Sequence, residues 1–179
     1  MNLLTQIIEH LNQRINQGNI FDQFYGISEF YKEEKAYYYY IGDGQALPVT
    51  NYDAKQGTIF WARRGKTIVT KQDSFRLAAC KSVYDTRYTL TAYCMVRKSH
   101  LPCDSAEAVD WVASKVLRLV SGRDTAFKET LGVVAYEVLP SGYQVDNRVL
   151  PPNMEWAAVA VEIDVVVSTF SEDGCYDVC

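Results

Sequence analysis

The chain has 179 residues, of which 48% are apolar and 22% charged, and its formal net charge is −4. This length favours one domain that buries enough surface to fold without a disulfide or metal. The acidic balance argues against broad electrostatic binding to nucleic acid, and no apolar run approaches the ~20 residues of a membrane span. Five cysteines at irregular spacing favour a reducing compartment over a disulfide framework.

The N-terminal region begins with a predicted helix over residues 2–17. Its apolar side chains recur every three or four positions, which is the spacing of one helix face. They are Leu3, Leu4, Ile7, Ile8, Leu11 and Ile15. Gly18 is expected to end the helix, because glycine adopts the left-handed conformation without steric cost. Residues 20–31 are rich in aromatic side chains but follow no period, so we interpret them as a packed connection.

Two short strands are predicted next. Residues 36–41 form a tyrosine-rich strand, and Gly42-Asp43-Gly44 predicts a tight turn because two glycines permit positive φ angles. Residues 47–52 predict a second strand. Pro48 near its start lacks the N–H that an interior sheet position needs, so this strand is expected at an edge.

The central region combines apolar strands with a cluster of basic residues. Residues 58–62 predict a strand, and Arg63-Arg64-Gly65-Lys66 predicts a basic turn from which residues 67–70 return. That hairpin is expected to project its charges into solvent. Residues 74–97 predict a second, long hairpin, in which residues 84–86 lead into the strand at 88–96.

A two-faced strand at residues 88–96 leads into a predicted helix at 105–120. Asp104 is expected to accept hydrogen bonds from the first helical turn, and Glu107 to reach back to the backbone. Gly122 is the expected stop. Because the helix carries one apolar stripe, a sheet is the simplest surface on which to bury it.

Residues 131–139 and 157–168 predict two further strands, with a turn at 140–142. The acidic residues 171–179 are expected to form a flexible tail. We find no repeat or linker in the sequence, so we predict a single domain over residues 1–179. Its predicted class is α+β, with a mostly antiparallel sheet, two α-helices packed on one face and protruding hairpins.

Eight residues are candidates for contacts with partners. The basic ones are suited to DNA phosphates or an acidic partner, although charged turns are usually only solvated. The tyrosines suit sheet packing or a subunit interface, because each joins an apolar ring to a polar tip. The carboxylates lie ~7 Å apart on one strand face. Such a pair can serve acid–base catalysis or bind a metal, or it can mark the solvent-exposed side of the strand. The residues are Arg63, Arg64, Lys66, Lys71, Tyr38, Tyr40, Glu162 and Asp164.

Catalytic and metal-binding patterns are weak in this sequence. His100 and Cys103 are the best candidate nucleophile pair, but such spacing in a loop is more often accidental. Together with Cys175 and Cys179 they offer four zinc ligands, without the Cys-x-x-Cys spacing of common structural sites. We therefore expect a protein that is not an enzyme, with no cofactor and no metal.

The order of elements resembles the phage tail-completion family, which includes head–tail joining and tail-terminator proteins. The resemblance rests on four features in order along most of the chain. They are the amphipathic helix at 2–17, antiparallel strands with a long hairpin, the passage from strand 88–96 into helix 105–120, and the closing strand at 156–167. Extra strands around 36–70 and an insertion at 140–155 distinguish this chain from smaller members.

The resemblance implies a structural virion protein, assembled in the host cytoplasm, that forms a homo-oligomeric ring. The ring would join the portal–connector assembly to neck and tail proteins around the DNA channel, with non-specific DNA contact and no membrane. Two other classes stay open. One is a small α+β enzyme or ligand-binding domain with a pocket between helix 105–120 and the sheet. The other is a nucleic-acid-binding module that uses Arg63, Arg64 and Lys66.

Overall fold

A computed structural model describes residues 3–32, 36–42, 45–49, 54–72, 82–104, 106–121, 129–138 and 155–171. Two α-helices and seven β-strands occupy these ranges, with a 3-10 turn at Lys98–His100. In chain order the helices and strands are α1 (Leu3–Asn16), β1 (Gln23–Lys32), β2 (Ala36–Gly42), β3 (Gln45–Pro48), β4 (Gly57–Gln72), β5 (Ser82–Arg97), α2 (Ala108–Val120), β6 (Glu129–Val138) and β7 (Trp156–Ser171).

The seven strands form a sheet in the order β3-β2-β1-β4-β5-β7-β6. Every neighbouring pair is antiparallel except β1 and β4, which run parallel from Gln23 opposite Thr58 to Ile27 opposite Trp61. Both helices pack on one face of the sheet. The fold is therefore α+β, as predicted. Strand β3 lies at one end of the strand order, which confirms the predicted edge. Its bounds differ from the predicted 47–52, because Pro48 ends this strand instead of lying near its start, and residues 50–52 lie outside the described residues.

The main core lies between the helices and the three longest strands, β4, β5 and β7, each of 16 residues. Alternate side chains of these strands face the helices, because successive residues of a strand point to opposite faces. Complete burial of a valine- or leucine-sized side chain contributes about 1.5–3 kcal/mol, so the alternation decides which face the helices cover. On β5 and β7 the helix-facing residues are Leu90, Ala92, Cys94, Val96, Ala157, Val159, Val161, Ile163, Val165 and Val167.

Asn12 joins α1 to the sheet through two hydrogen bonds. Its Oδ1 accepts from the Trp61 indole Nε1 at 2.7 Å, and its Nδ2 donates to the Tyr25 carbonyl at 3.2 Å. The helix therefore contacts both β4 and β1 through a polar side chain as well as through its apolar stripe. The sequence pattern did not single out this residue.

The end of α1 differs in detail from the prediction. Asn19, with φ of 50°, takes the left-handed position that was assigned to Gly18; asparagine tolerates this conformation better than most residues. Gly18 serves close packing instead, because a Cβ atom there would lie 2.5 Å from Leu119 Cδ1 of α2.

The interpretation of residues 20–31 as a connection was wrong, because most of this stretch is β1. Its pairing register with β4 shifts between Phe24 and Ile27. A bulge of this kind breaks the two-residue period on which strand recognition depends. The strand also pairs with β4 in its first half and with β2 in its second.

The basic turn predicted at 63–66 does not exist, and residues 74–81 of the predicted hairpin at 74–97 lie outside the described residues. Residues 63–66 lie inside β4, where the register with β5 shifts between Arg64 and Ile68 and Gly65 adopts a φ of 63°. Glycine and basic residues therefore mark a β-bulge rather than a chain reversal. Residues 84–86 lie inside β5, paired with β4 on one side and β7 on the other.

Helix α2 starts later than predicted. Glu107 occupies the N-cap position with no side-chain cap hydrogen bond, and its N–H donates to the Asp104 carbonyl at 2.9 Å. The expected Asp104–Glu107 capping box is therefore wrong. The helix ends at Ser121, and the predicted stop Gly122 lies outside the described residues.

The predicted strands at 36–41, 88–96 and 157–168 are confirmed within β2, β5 and β7, and the one at 131–139 is confirmed up to Val138 in β6, since residue 139 lies outside the described residues. The turns assigned to 43–44 and 140–142 lie outside the described residues, as does the tail beyond Ser171. Neither described helix is long and apolar enough to cross a membrane.

Candidate interaction surface

One side of β4 has no paired strand, within the described ranges, along the segment that carries the predicted basic residues. Strand β5 pairs with one side of β4 along its length, whereas β1 pairs with the other side only from Thr58 to Trp61. From Ala62 to Gln72, no strand in the described ranges pairs with that side. A strand edge of this kind presents a row of backbone donors and acceptors to which a further strand can pair.

The four basic candidates all lie exposed along this segment. Arg64 is fixed on the face opposite the helices, where its Nε donates to Thr91 Oγ1 at 3.3 Å and its Nη2 donates to the Tyr93 hydroxyl at 3.1 Å. Arg63 is paired in register with Leu90, a helix-facing residue, and therefore lies towards the other face. Lys71 is paired with Tyr84 near the far end of the strand.

Two exposed apolar residues adjoin the basic ones. Ile68 is 55% exposed and Val69 is 60% exposed. As consecutive residues of a strand they point to opposite faces, so this end of β4 is open on both faces. Large exposed aliphatic side chains beside an open strand edge are typical of a surface that a partner covers.

A cleft of about 580 Å³ opens where β1 and β4 separate. From Ser28 onward β1 pairs with β2 instead of β4. One wall comes from β1 and the other from β4, with α1 and β5 completing the lining. The lining residues on the strands include Ile27, Ser28, Glu29, Ala62, Arg63 and Arg64.

The ligand pocket considered at the sequence level was placed between α2 and the sheet. There the helix is tightly packed, with Val112, Ala113 and Val116 fully buried in the core. The cleft instead lies between two strands. It depends on the fork between β1 and β4, which the sequence did not reveal because β1 was not recognised as a strand.

The two predicted acidic residues differ in their surroundings. Glu162 is exposed, whereas Asp164 is half-buried and accepts a 2.6 Å hydrogen bond from Thr89 Oγ1. Thr89 lies in register with Asp164 on one side and Arg64 on the other. The backbones of Arg64 and Asp164 are thus two strand spacings, about 10 Å, apart. The face opposite the helices is basic towards β4 and acidic towards β7.

The two candidate tyrosines do not join the basic segment. Tyr40 is half-buried, and its ring lies 4.9 Å from that of Tyr25. It packs against a second apolar cluster on the face opposite the helices. This cluster contains Val49, Phe60, Ala62, Tyr93, Met95 and Ala160. Tyr38 is paired with Phe30 in the register between β2 and β1, and its side chain lies outside the described residues.

The two described cysteines, Cys94 and Cys103, show no sign of an activated nucleophile. Burial raises the pKa of the Cys94 thiol, and at Cys103 burial, Glu107 and Asp104 all raise the pKa. A raised pKa lowers the thiolate fraction, which is the reactive form. Within the described ranges no three His, Cys, Asp or Glu residues cluster as a metal site. Cys175 and Cys179 lie outside those ranges.

Comparisons with known proteins add no assignment. No protein-family model matches the sequence, and the search of curated proteins finds no relative. Function is therefore inferred from the open edge of β4, the cleft beside it and the charges along both.

Proposed function

We propose that this protein is a structural virion component that forms a ring at the head–tail junction or tail end of a phage. The ring joins connector and tail around the DNA channel. Support comes from the order of elements, which resembles the tail-completion family, together with an α+β fold whose helices cover one sheet face.

The observation that carries the proposal is the open edge of β4 from Ala62 to Gln72, with Ile68 and Val69 exposed beside it. Strand β6 lies at the other end of this part of the sheet. Two unlike edges on one molecule allow a head-to-tail contact. Such contacts close into a ring when the rotation between copies permits, whereas a two-fold contact stops at a dimer.

The charge distribution supports the same arrangement. Arg63, Arg64 and Lys66 lie on the β4 side, while Glu162 and Asp164 lie on β7 towards the other side. In a head-to-tail contact the basic side of one copy meets the acidic side of the next. Opposite charges of this kind fix the register and speed association.

The direct test is the assembly state of the full chain. We expect light scattering and negative-stain electron microscopy to show a ring-shaped oligomer, either alone or on addition of a portal–connector complex. A protein that stays monomeric at all concentrations, and that never co-sediments with connector or tail particles, would refute the proposal.

A further inference from the structure

The cleft between β1 and β4 has the backbone geometry to receive an extended peptide. The two strands pair until Ile27 and Trp61 and then diverge. Beyond that point β1 is paired with β2 and β4 with β5, each on the side away from the cleft. The two edges that face each other across the cleft have no pairing among the described residues. An added strand satisfies such edges with its own N–H and C=O groups.

Ser28 supplies a second, independent indication of a ligand. This residue lines the cleft and is only 3% exposed, yet its Oγ has no hydrogen-bond partner among the described residues. A buried polar group without a partner destabilises a fold, because it has lost its hydrogen bonds to water and gained none in return. A bound chain that supplies a donor or acceptor to this hydroxyl removes that cost.

The charge of the cleft selects an acidic occupant. Arg63 and Arg64 line it and Lys66 follows directly, while Glu29 is the acidic residue among the lining side chains. Hydrogen bonds to Thr91 and Tyr93 fix part of the Arg64 guanidinium in place. A positioned guanidinium loses less conformational entropy when it binds a carboxylate.

We propose that the cleft binds residues 172–179 of a second copy of this chain as an extended strand. This segment contains Glu172, Asp173 and Asp177 and no basic residue. The inference depends on the proposed function for the self-association of the protein, and it identifies one contact between neighbouring copies.

Reach favours a second copy as the source of the segment. Ser171 lies seven residues beyond Asp164 on β7. Asp164 is level with Arg64 across the sheet, because Thr89 of β5 is in register with both. Seven strand residues span about 23 Å, and crossing two strands adds about 10 Å sideways. Eight extended residues span at most about 28 Å. The direct distance is then about 25 Å, so residues 172–179 of the same copy would reach Arg64 with about one residue left, too few to pair along the cleft.

Peptide binding tests the site directly. The probe is a fluorescein-labelled peptide of residues 171–179 with serine in place of both cysteines. It is titrated into the full chain carrying Glu172→Gln, Asp173→Asn and Asp177→Asn, so that the chain's own segment does not compete. We expect saturable binding that weakens at least tenfold with Arg63→Glu/Arg64→Glu, and at least tenfold when the peptide acids are replaced by amides.

Two matched variants separate the cleft from general charge. Arg118→Glu removes an exposed positive charge on α2, outside the cleft lining, and we expect binding to change less than twofold. Ser28→Ala is expected to weaken peptide binding severalfold while leaving the melting temperature unchanged or raised. Equal binding of a scrambled peptide, or binding unaffected by Arg63→Glu/Arg64→Glu, overturns the inference.

A charge exchange tests the contact between copies. We expect Arg63→Glu/Arg64→Glu and Glu172→Arg/Asp173→Arg each to reduce self-association, and an equimolar mixture of the two variants to regain it in light scattering. If both variants form rings like the unmodified chain, this inference fails and the proposed function survives. If the unmodified chain never assembles, the proposed function fails while the peptide titration still decides the cleft.

Discussion

At the scale of single residues, Asp22 organises the junction between β1 and β4. Its carboxylate accepts hydrogen bonds from the backbone N–H groups of Lys55 at 2.6 Å, Gln56 at 2.9 Å and Gly57 at 2.8 Å. Burial raises the pKa of Asp22, but these three hydrogen bonds outweigh it and hold the pKa below its usual 3.8. The carboxylate thus fixes the chain just before β4 begins.

We expect Asp22→Asn to destabilise the fold by about 1 kcal/mol, a value reduced for solvent screening because the side chain is exposed. The native pKa is depressed. The stabilisation is therefore complete above the unfolded-state pKa of 3.8 and is lost as pH falls through the lower native pKa. Urea unfolding at pH 7 and pH 3 measures both effects. Glu162→Gln, which removes another exposed carboxylate, is the control.

Two glycines form a matched test of backbone packing. A Cβ atom at Gly57 would lie 2.6 Å from the Met95 carbonyl oxygen, whereas one at Gly26 would meet nothing within 4 Å. We expect Gly57→Ala to cost about 1–3 kcal/mol, because a backbone atom must move. Gly26→Ala is expected to change stability by less than about 0.5 kcal/mol. Equal effects in thermal unfolding would contradict this account of Gly57.

At the scale of elements, β4 has two halves with different surroundings. Its first half is central in the sheet, with Ile59, Phe60 and Trp61 fully buried. Its second half begins at the bulge around Gly65 and has an open edge and exposed side chains. One strand therefore belongs both to the core and to the surface offered to partners.

We expect Ile68→Lys and Val69→Lys to prevent assembly while leaving the monomer folded. Both side chains are more than half exposed, so their replacement changes stability by less than about 0.5 kcal/mol. Placing a charge on an open strand edge opposes edge-to-edge pairing. Light scattering measures assembly, and circular dichroism measures folding.

Leu47→Lys is the control for those two variants, because Leu47 is exposed at 37% on the opposite edge strand β3. It is expected to assemble normally. Assembly lost with Leu47→Lys but kept with the β4 variants would move the interface to the other end of the sheet.

At the scale of the whole molecule, a net charge of −4 coexists with an exposed basic segment on β4. The overall charge opposes tight nucleic-acid binding, whereas a local patch permits weak contact with channel DNA. A nucleic-acid-binding module and a ring component differ in the strength and salt dependence of that contact.

We expect weak DNA binding that falls roughly 40-fold between 50 and 200 mM salt, as three phosphate contacts imply. Arg63→Glu/Arg64→Glu/Lys66→Glu is expected to abolish it in fluorescence anisotropy with duplex DNA. Binding that survives this triple variant would show that the basic segment is not the contact. Nanomolar binding by the monomer at 200 mM salt would favour the nucleic-acid-binding module.

The sequence by itself determined which residues alternate and which recur at helical spacing. Residues 88–96 and 157–168 were recognised as strands because each has one fully apolar face, and α1 and α2 because each has one apolar stripe. The exposed basic residues were also found in advance, since charge is visible without a structure. These are local properties, and burial of one face leaves little choice of element.

Tertiary structure alone decided where the strands part. The bulges in β1 and β4 break the two-residue period, so a strand was taken for a connection and a strand interior for a turn. The cleft, and with it the position of the buried Ser28 hydroxyl, exists because the pairing of β1 with β4 stops after Ile27 and Trp61. Strand pairing joins residues distant in sequence, and no local pattern specifies which edge stays open.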